Sequence, residues 1–117
     1  MSEQTYLVLA ALLDGPLHGY GVIQRVRELS AERVILAVGT LYGALDRLAD
    51  QGLVAVAREE VVSGRPRRYF ELTDDGLAAV TVEAQRMRRA ARIVTDRLRR
   101  RHRPAVSTAP ATGVGLA

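Results

Sequence analysis

The stretch "GTLYGALDRLADQGLV", residues 39 to 54, decides how the rest of the chain is read. Leu41, Leu45, Leu48 and Ala49 recur at helical spacing as one apolar stripe, while Tyr42, Gly43, Asp46, Arg47 and Asp50 fall on the opposite face. Thr40 is placed to cap the N-terminus of this helix and Gly52 to close its C-terminus. The pattern predicts a helix with one buried stripe and one polar face, leading through a glycine into Val54.

On the downstream side, Val54 and Val56 alternate with smaller or polar neighbours, as do Phe70 and Leu72, and the two runs flank "SGRPRR". That is a β-hairpin with an arginine-bearing tip, in which Gly64 allows close approach and Pro66 stiffens the turn. Upstream, Tyr6 to Leu13 is apolar on every face and predicts a buried first helix over residues 3 to 13, with Gly15 as its C-cap and Pro16 blocking continuation. Val22, Ile23, Val26 and Leu29 predict an amphipathic second helix over about residues 18 to 30, with His18 at its start as a cap or packing residue. Three helices followed by a hairpin is the order of a winged helix-turn-helix, mainly α with a small β-hairpin (α+β). In that fold the third helix enters the major groove, and Arg65, Arg67 and Arg68 of the wing are placed to meet phosphates.

Thr73 then caps a fourth helix, with Asp74 and Asp75 in its first turn and Arg99 to Arg101 in its last, charges suited to the macrodipole at both ends. Leu77, Val80, Ala84, Met87, Ala91, Val94 and Leu98 follow alternating steps of three and four, an a/d seam that predicts dimerisation. From Pro104 on there is no charge, no large aromatic residue and no periodicity, which predicts a disordered tail. The expected organisation is therefore a winged DNA-binding domain over residues 1–73, a dimerisation helix over 74–103 and a tail over 104–117.

The chain has 117 residues, the size of one domain, and all 17 basic residues are arginine against 13 acidic ones, for a formal charge of +4. The charge is segregated: residues 86 to 103 hold nine arginines against Asp96 alone, or +8, and the remainder of the chain is −4. An anionic partner follows from the total, and a partner helix, a membrane surface or DNA beyond the wing are the three readings of the basic segment. Its seam is alanine-rich and lacks Trp and Phe, which disfavours the membrane. Two such segments brought together repel by about 1 kcal/mol per contact pair in water. Glu3, Glu28 or Glu32 from the acidic remainder can offset this if the fourth helix packs on the first helix of a second subunit. With no cysteine there is no disulfide, thiol nucleophile or thiolate metal site, and the two histidines support neither a nucleophile pair nor a zinc site. The expectation is no enzyme, no cofactor and no metal. The longest apolar run, Tyr6 to Leu13, is less than half the roughly 20 residues a spanning helix needs, and no secretory signal opens the chain, which points to the cytoplasm.

Three motifs, "YLVLAALLDGPLHGYGVI", "GTLYGALDRLADQGLV" and "GRPRRYFELTDDG", resemble in order the patterns of the PadR family of transcriptional regulators, in particular its short members with a single C-terminal helix. The chain departs from that pattern in lacking prolines before Gly39 and at position 43, and in having Gly21 and Glu71 where acidic and basic residues respectively are common. The resemblance implies a homodimeric repressor of a nearby promoter, bound to a palindromic double-stranded DNA operator and released by a small-molecule effector. It places Gly39, Thr40 and Tyr42 at the start of the recognition helix, with Arg47 farther along it and Gly64, Arg65, Arg67 and Arg68 on the wing. Because no aromatic residue follows Phe70, a ligand cavity between the long helices would be lined by aliphatic side chains and offer little stacking. The rival reading is a dimeric winged-helix module that binds an acidic protein and no longer binds DNA.

Overall fold

A computed structural model describes residues 1–102; the expected tail over 104–117 lies outside the described residues. In chain order the elements are α1 (Glu3–Ala11), β1 (Leu17–His18), α2 (Gly19–Leu29), α3 (Val38–Asp50), β2 (Val54–Val62), β3 (Arg65–Leu72) and α4 (Asp74–Arg101). The architecture is mainly α with a three-stranded antiparallel sheet of order β1-β3-β2 and a long C-terminal helix, a winged helix. The chain divides into two compact units, Met1–Ala84 and the residues from Gln85 onward.

Within the first unit the core is built from Val8, Leu9 and Leu12 of the α1 region, Val22 and Val26 of α2, Leu41, Leu45 and Leu48 of α3, and Val54 and Phe70 of the sheet. Leu36 anchors the α2–α3 connection in the same cluster. The apolar stripe of α3 thus faces inward as its spacing requires. Helix α1 is shorter than its apolar run: Leu12 is its C-cap and Leu13 is exposed, because the chain turns before Gly15. Helix α3 begins earlier than Thr40 suggests. Ala37 is its N-cap and makes no side-chain cap bond, so Thr40 lies inside the first turn instead of capping it.

The end of α3 fixes the direction of the wing. Gly52, at φ +75°, donates its N–H to Ala49, and Leu53 donates to Leu48 at 2.9 Å, the paired bonds of a Schellman close that brings Leu53 back toward the helix. The Leu53 carbonyl then accepts the Thr73 N–H at 3.1 Å, and the Thr73 hydroxyl donates to the Gly52 carbonyl at 2.6 Å. That hydroxyl oxygen also accepts the Gly76 N–H at 3.0 Å, so Thr73 caps α4 as its sequence position predicts. Gly76 is buried against the Leu53 carbonyl oxygen, so closely that a Cβ at this position would overlap it.

Between β2 and β3 the turn is Ser63–Gly64, with φ values of +53° and +78°, the two-residue loop that suits a twisted hairpin. Pro66 therefore sits in strand β3 opposite Val61, not in the turn, and is tolerated because β1 pairs only with Phe70 and Tyr69 and leaves that edge of β3 open. Strand β1 itself, two residues long, carries too little pattern to be read from sequence.

At the first helix, Arg33 donates to both oxygens of Glu3, holding that carboxyl below the ordinary glutamate range and raising the guanidinium in turn. A lowered folded-state pKa means the pair favours the fold above the ordinary glutamate pKa and stops doing so as pH falls through the folded value. NMR titration of Glu3 is expected to give a midpoint below the ordinary range that returns to it in Arg33→Ala. Replacing Gly76 by alanine is expected to cost about 3 kcal/mol, because the obstacle is backbone with no room to yield. Thermal unfolding of Gly76→Ala beside Ala78→Gly, an exposed position in the same helix, checks it.

Candidate nucleic-acid interface

The alternation of β3 sorts its arginines onto two faces. Phe70 is buried toward the helices, and Arg68, two residues earlier, lies on the same face with its guanidinium carbon 5.8 Å from the Phe70 ring centre. Tyr42 of α3 meets the same ring edge-on at 6.4 Å, so a row Arg68–Phe70–Tyr42 joins wing to helix. Arg65 and Arg67 alternate onto the face that carries Tyr69. The Ser63–Gly64 turn sets the register, which places Glu59 opposite Arg68 and Glu60 opposite Arg67.

Those carboxylates do not neutralise the arginines they oppose. Glu60 accepts the Tyr69 hydroxyl at 2.7 Å and lies 4.0 Å from Arg58, which draws it away from Arg67. Among the described residues Arg65, Arg67, Arg68 and Arg47 make no salt bridge. The arginines of α2 and of the α2–α3 connection are matched: Arg25 with Asp14 and Glu28, Arg27 with Glu32, Arg33 with Glu3. A net-negative unit thus shows open cations on α3 and the wing.

On the outer face of the sheet, Tyr69 carries the His18 ring stacked at 5.4 Å on the β1 side and the Arg58 guanidinium 3.9 Å away on the β2 side. His18 also caps α2, its Nδ1 accepting the Gly21 N–H at 3.0 Å. One side chain therefore ties the first turn of α2 to the wing.

A groove of about 660 Å³ runs between these parts, lined by His18, Gly19 and Tyr20 at the start of α2, Tyr42 of α3, and Arg65, Arg67 and Arg68 of β3. Of the residues the sequence singled out, Tyr42 and the three wing arginines meet in it. Gly39 and Thr40 lie exposed at the start of α3, Arg47 lies about two turns along beside Gly43, and Gly64 is in the hairpin turn, none of them among the residues lining the groove. The sequence reading missed Tyr20, 64% exposed, and the carboxylates opposite the arginines; a two-residue turn at Ser63–Gly64, had it been assumed, yields that register directly. Pro66, Val62 and the carboxylate-bearing Glu59, which the register sets opposite Arg68, also line the groove. An open groove lined by three arginines and two tyrosines fits a phosphate backbone.

Among the described residues no group of three or more His, Cys, Asp or Glu side chains that could hold a metal ion occurs. No described helix is long and apolar enough to cross a membrane.

Comparison with known proteins agrees with this geometry. Residues 8–82 match the "Transcriptional regulator PadR-like family". A 37.1 kDa protein of a Streptomyces fradiae transposon is 45% identical over 88 residues, covering 75% of this chain, which spans only 24% of that protein. A transcriptional regulator of Mycobacterium tuberculosis is 37% identical over 87 residues, covering 74% of this chain and 78% of its own. Among solved structures, a PadR family regulator of Clostridium difficile superposes with a TM-score of 0.70 at 25% identity, over 83% of this chain and 99% of that one. Bacillus subtilis PadR in complex with operator DNA gives 0.64 at 21% identity over 71% of this chain and 48% of its own, a likeness of fold.

Alanine at Gly19 would place a Cβ 2.5 Å from the Tyr42 hydroxyl, so the tyrosine must move. Gly19→Ala is expected to cost about 1–2 kcal/mol in an otherwise native chain and close to nothing in a Tyr42→Ala background. A double-mutant cycle by denaturant unfolding measures that coupling.

Proposed function

The chain belongs to the PadR-like family of DNA-binding transcriptional regulators, and on that premise we propose that it is a homodimeric repressor of a nearby promoter, acting in the cytoplasm on a two-fold symmetric operator. Residues 1–73 serve as the DNA-binding domain and 74–103 as the dimerisation helix. The start of α3, with Gly39, Thr40 and Tyr42, meets base edges and phosphates, Arg47 supports it, and Gly64, Arg65, Arg67 and Arg68 hold the flanking backbone. The observation that carries this reading is the groove that joins Tyr42 to three arginines without a salt bridge. That the Bacillus subtilis relative was crystallised on operator DNA supports it.

Exposed apolar side chains on α4 support pairing of two copies: Leu77, Val94 and Leu98 are each about half exposed and Ala91 is exposed, while Ala84 and Met87 are half-buried. Val80 is corrected out of that surface, since at 5% exposure it belongs to the core of its own chain. Glu3, Glu28 and Glu32, expected to offset the arginines of a second subunit, are engaged with Arg33, Arg25 and Arg27. A small-molecule effector that releases the operator completes the proposal. With two-fold symmetry the half-sites lie about one helical turn, roughly 34 Å, apart.

Fluorescence anisotropy on a duplex from the upstream region and on a scrambled duplex, across a salt series, tests the reading. Sequence preference with a negative log–log salt slope is expected, and Arg65→Ala and Arg67→Ala each lower affinity on both duplexes and flatten the slope by about 0.9. Equal binding to both duplexes that disappears at physiological salt overturns it and favours a protein-binding module, for which the −4 charge outside residues 86–103 is the support.

A further inference from the structure

The second unit carries a charge pattern that neither capping nor dimerisation explains. Past Met87, Ala91, Val94 and Leu98 form one apolar stripe, and Arg88, Arg89, Arg92, Arg97, Arg100 and Arg101, with the exposed Ile93 among them, are distributed over the remaining circumference. All six are exposed and, among the described residues, none makes a salt bridge; Arg99 pairs with Asp96 at 3.7 Å. The helix macrodipole accounts for basic residues in the last turn alone, which leaves Arg88, Arg89, Arg92 and Arg97 without that reason. Arg88 and Arg92 stand four apart, as do Arg97 and Arg101, while Arg89 and Arg92 stand three apart; like charges at these spacings destabilise a helix. Among the described residues no salt bridge to these six offsets that repulsion, and Asp96 pairs with Arg99.

We propose that this arginine arc is a second duplex-binding surface, which holds the phosphate backbone of DNA flanking the operator. The proposal rests on the reading of the chain as a DNA-binding regulator. Three observations favour duplex DNA as the occupant. Glu3, Glu28 and Glu32, the acids expected to neutralise the arc from a second copy, are engaged with Arg33, Arg25 and Arg27. Every basic residue is arginine, whose planar donors pair bidentately with phosphate oxygens. From Arg88 to Arg101 the helix rises about 20 Å, the length of roughly six base pairs at 3.4 Å each. A lipid surface is disfavoured because no aromatic residue follows Phe70 to anchor the helix.

The test uses the full chain and an operator duplex obtained by selection from random sequence, with and without about ten base pairs, one helical turn, of unrelated flank on each side. Wild-type protein is expected to bind the flanked duplex about 10-fold more tightly, with a log–log salt slope steeper by about 0.9 for each phosphate engaged. Arg89→Gln/Arg92→Gln/Arg100→Gln is expected to lose that gain and keep its sequence preference, whereas Arg65→Gln/Arg67→Gln weakens both duplexes and keeps the gain. A gain absent from wild type, or intact in the triple variant, overturns the proposal while leaving the regulator reading in place. So does a triple variant that loses binding to vesicles containing phosphatidylserine but not to DNA. If selection yields no preferred sequence, the regulator reading falls, and the arc is judged by the slope difference between wild type and triple variant on a random duplex. Circular dichroism and sedimentation confirm helix content and assembly. Should the triple variant unfold, the three single substitutions, each expected to flatten the slope by about 0.9, carry the same test.

Discussion

The backbone carbonyl of Leu53 is the point on which the winged unit turns. It accepts the Thr73 N–H, lies beneath Gly76, and follows directly on the Gly52 close of α3. Four element ends therefore meet within hydrogen-bond distance: the end of α3, the start of β2, the end of β3 and the start of α4. Because Thr73 donates its hydroxyl to Gly52 and accepts from Gly76, one side chain satisfies a carbonyl just past the end of α3 and an amide in the first turn of α4. The consequence reaches the far end of the hairpin. A wing that leaves α3 at a fixed angle presents its arginines at a fixed distance from Tyr42, and a groove of definite width results.

What makes that groove cationic is the allocation of acids within the unit. Asp14, Glu3, Glu28 and Glu32 engage the arginines of α2 and of the α2–α3 connection, and Glu60 is held by Tyr69. The wing arginines gain no such partner, so an open positive surface exists on a unit whose formal charge is negative. Net charge describes the field far from a protein, whereas recognition at contact distance follows the nearest groups, since screening removes more distant ones beyond about 10 Å. The His18–Tyr69–Arg58 stack holds the geometry in which Glu60 is diverted.

Charge segregation along the chain then acquires a mechanical sense. The winged unit offers a few open guanidinium groups around a shaped groove, and the C-terminal part of α4 offers many on a convex helix. The first arrangement suits registration on a particular backbone path, the second a sequence-independent hold that weakens steeply with salt.

Much of this was legible in the residues themselves. The stripe of Leu41, Leu45 and Leu48, the alternation around Phe70, and the Thr73–Asp74–Asp75 start of α4 are local signals whose period or capping chemistry admits one element type, and they give the winged order without tertiary information. Local chemistry misled where it offered a plausible feature that packing did not adopt: Thr40 could cap α3, yet the helix extends back to Val38; Pro66 could mark a turn, yet Ser63–Gly64 supplies the positive φ values and Pro66 falls into a strand. Val80 fits the seam period, but it falls on the one face of the first turns of α4 that packs against the core, whereas Leu77 in the same turns stays half exposed. Spacing along one chain thus determined the elements and their order. Only the tertiary structure decided which charges are neutralised, where Gly76 and Gly19 are required by close approach, and that Tyr42 and the β3 arginines share one groove, because those facts depend on distances between residues that the sequence does not place together.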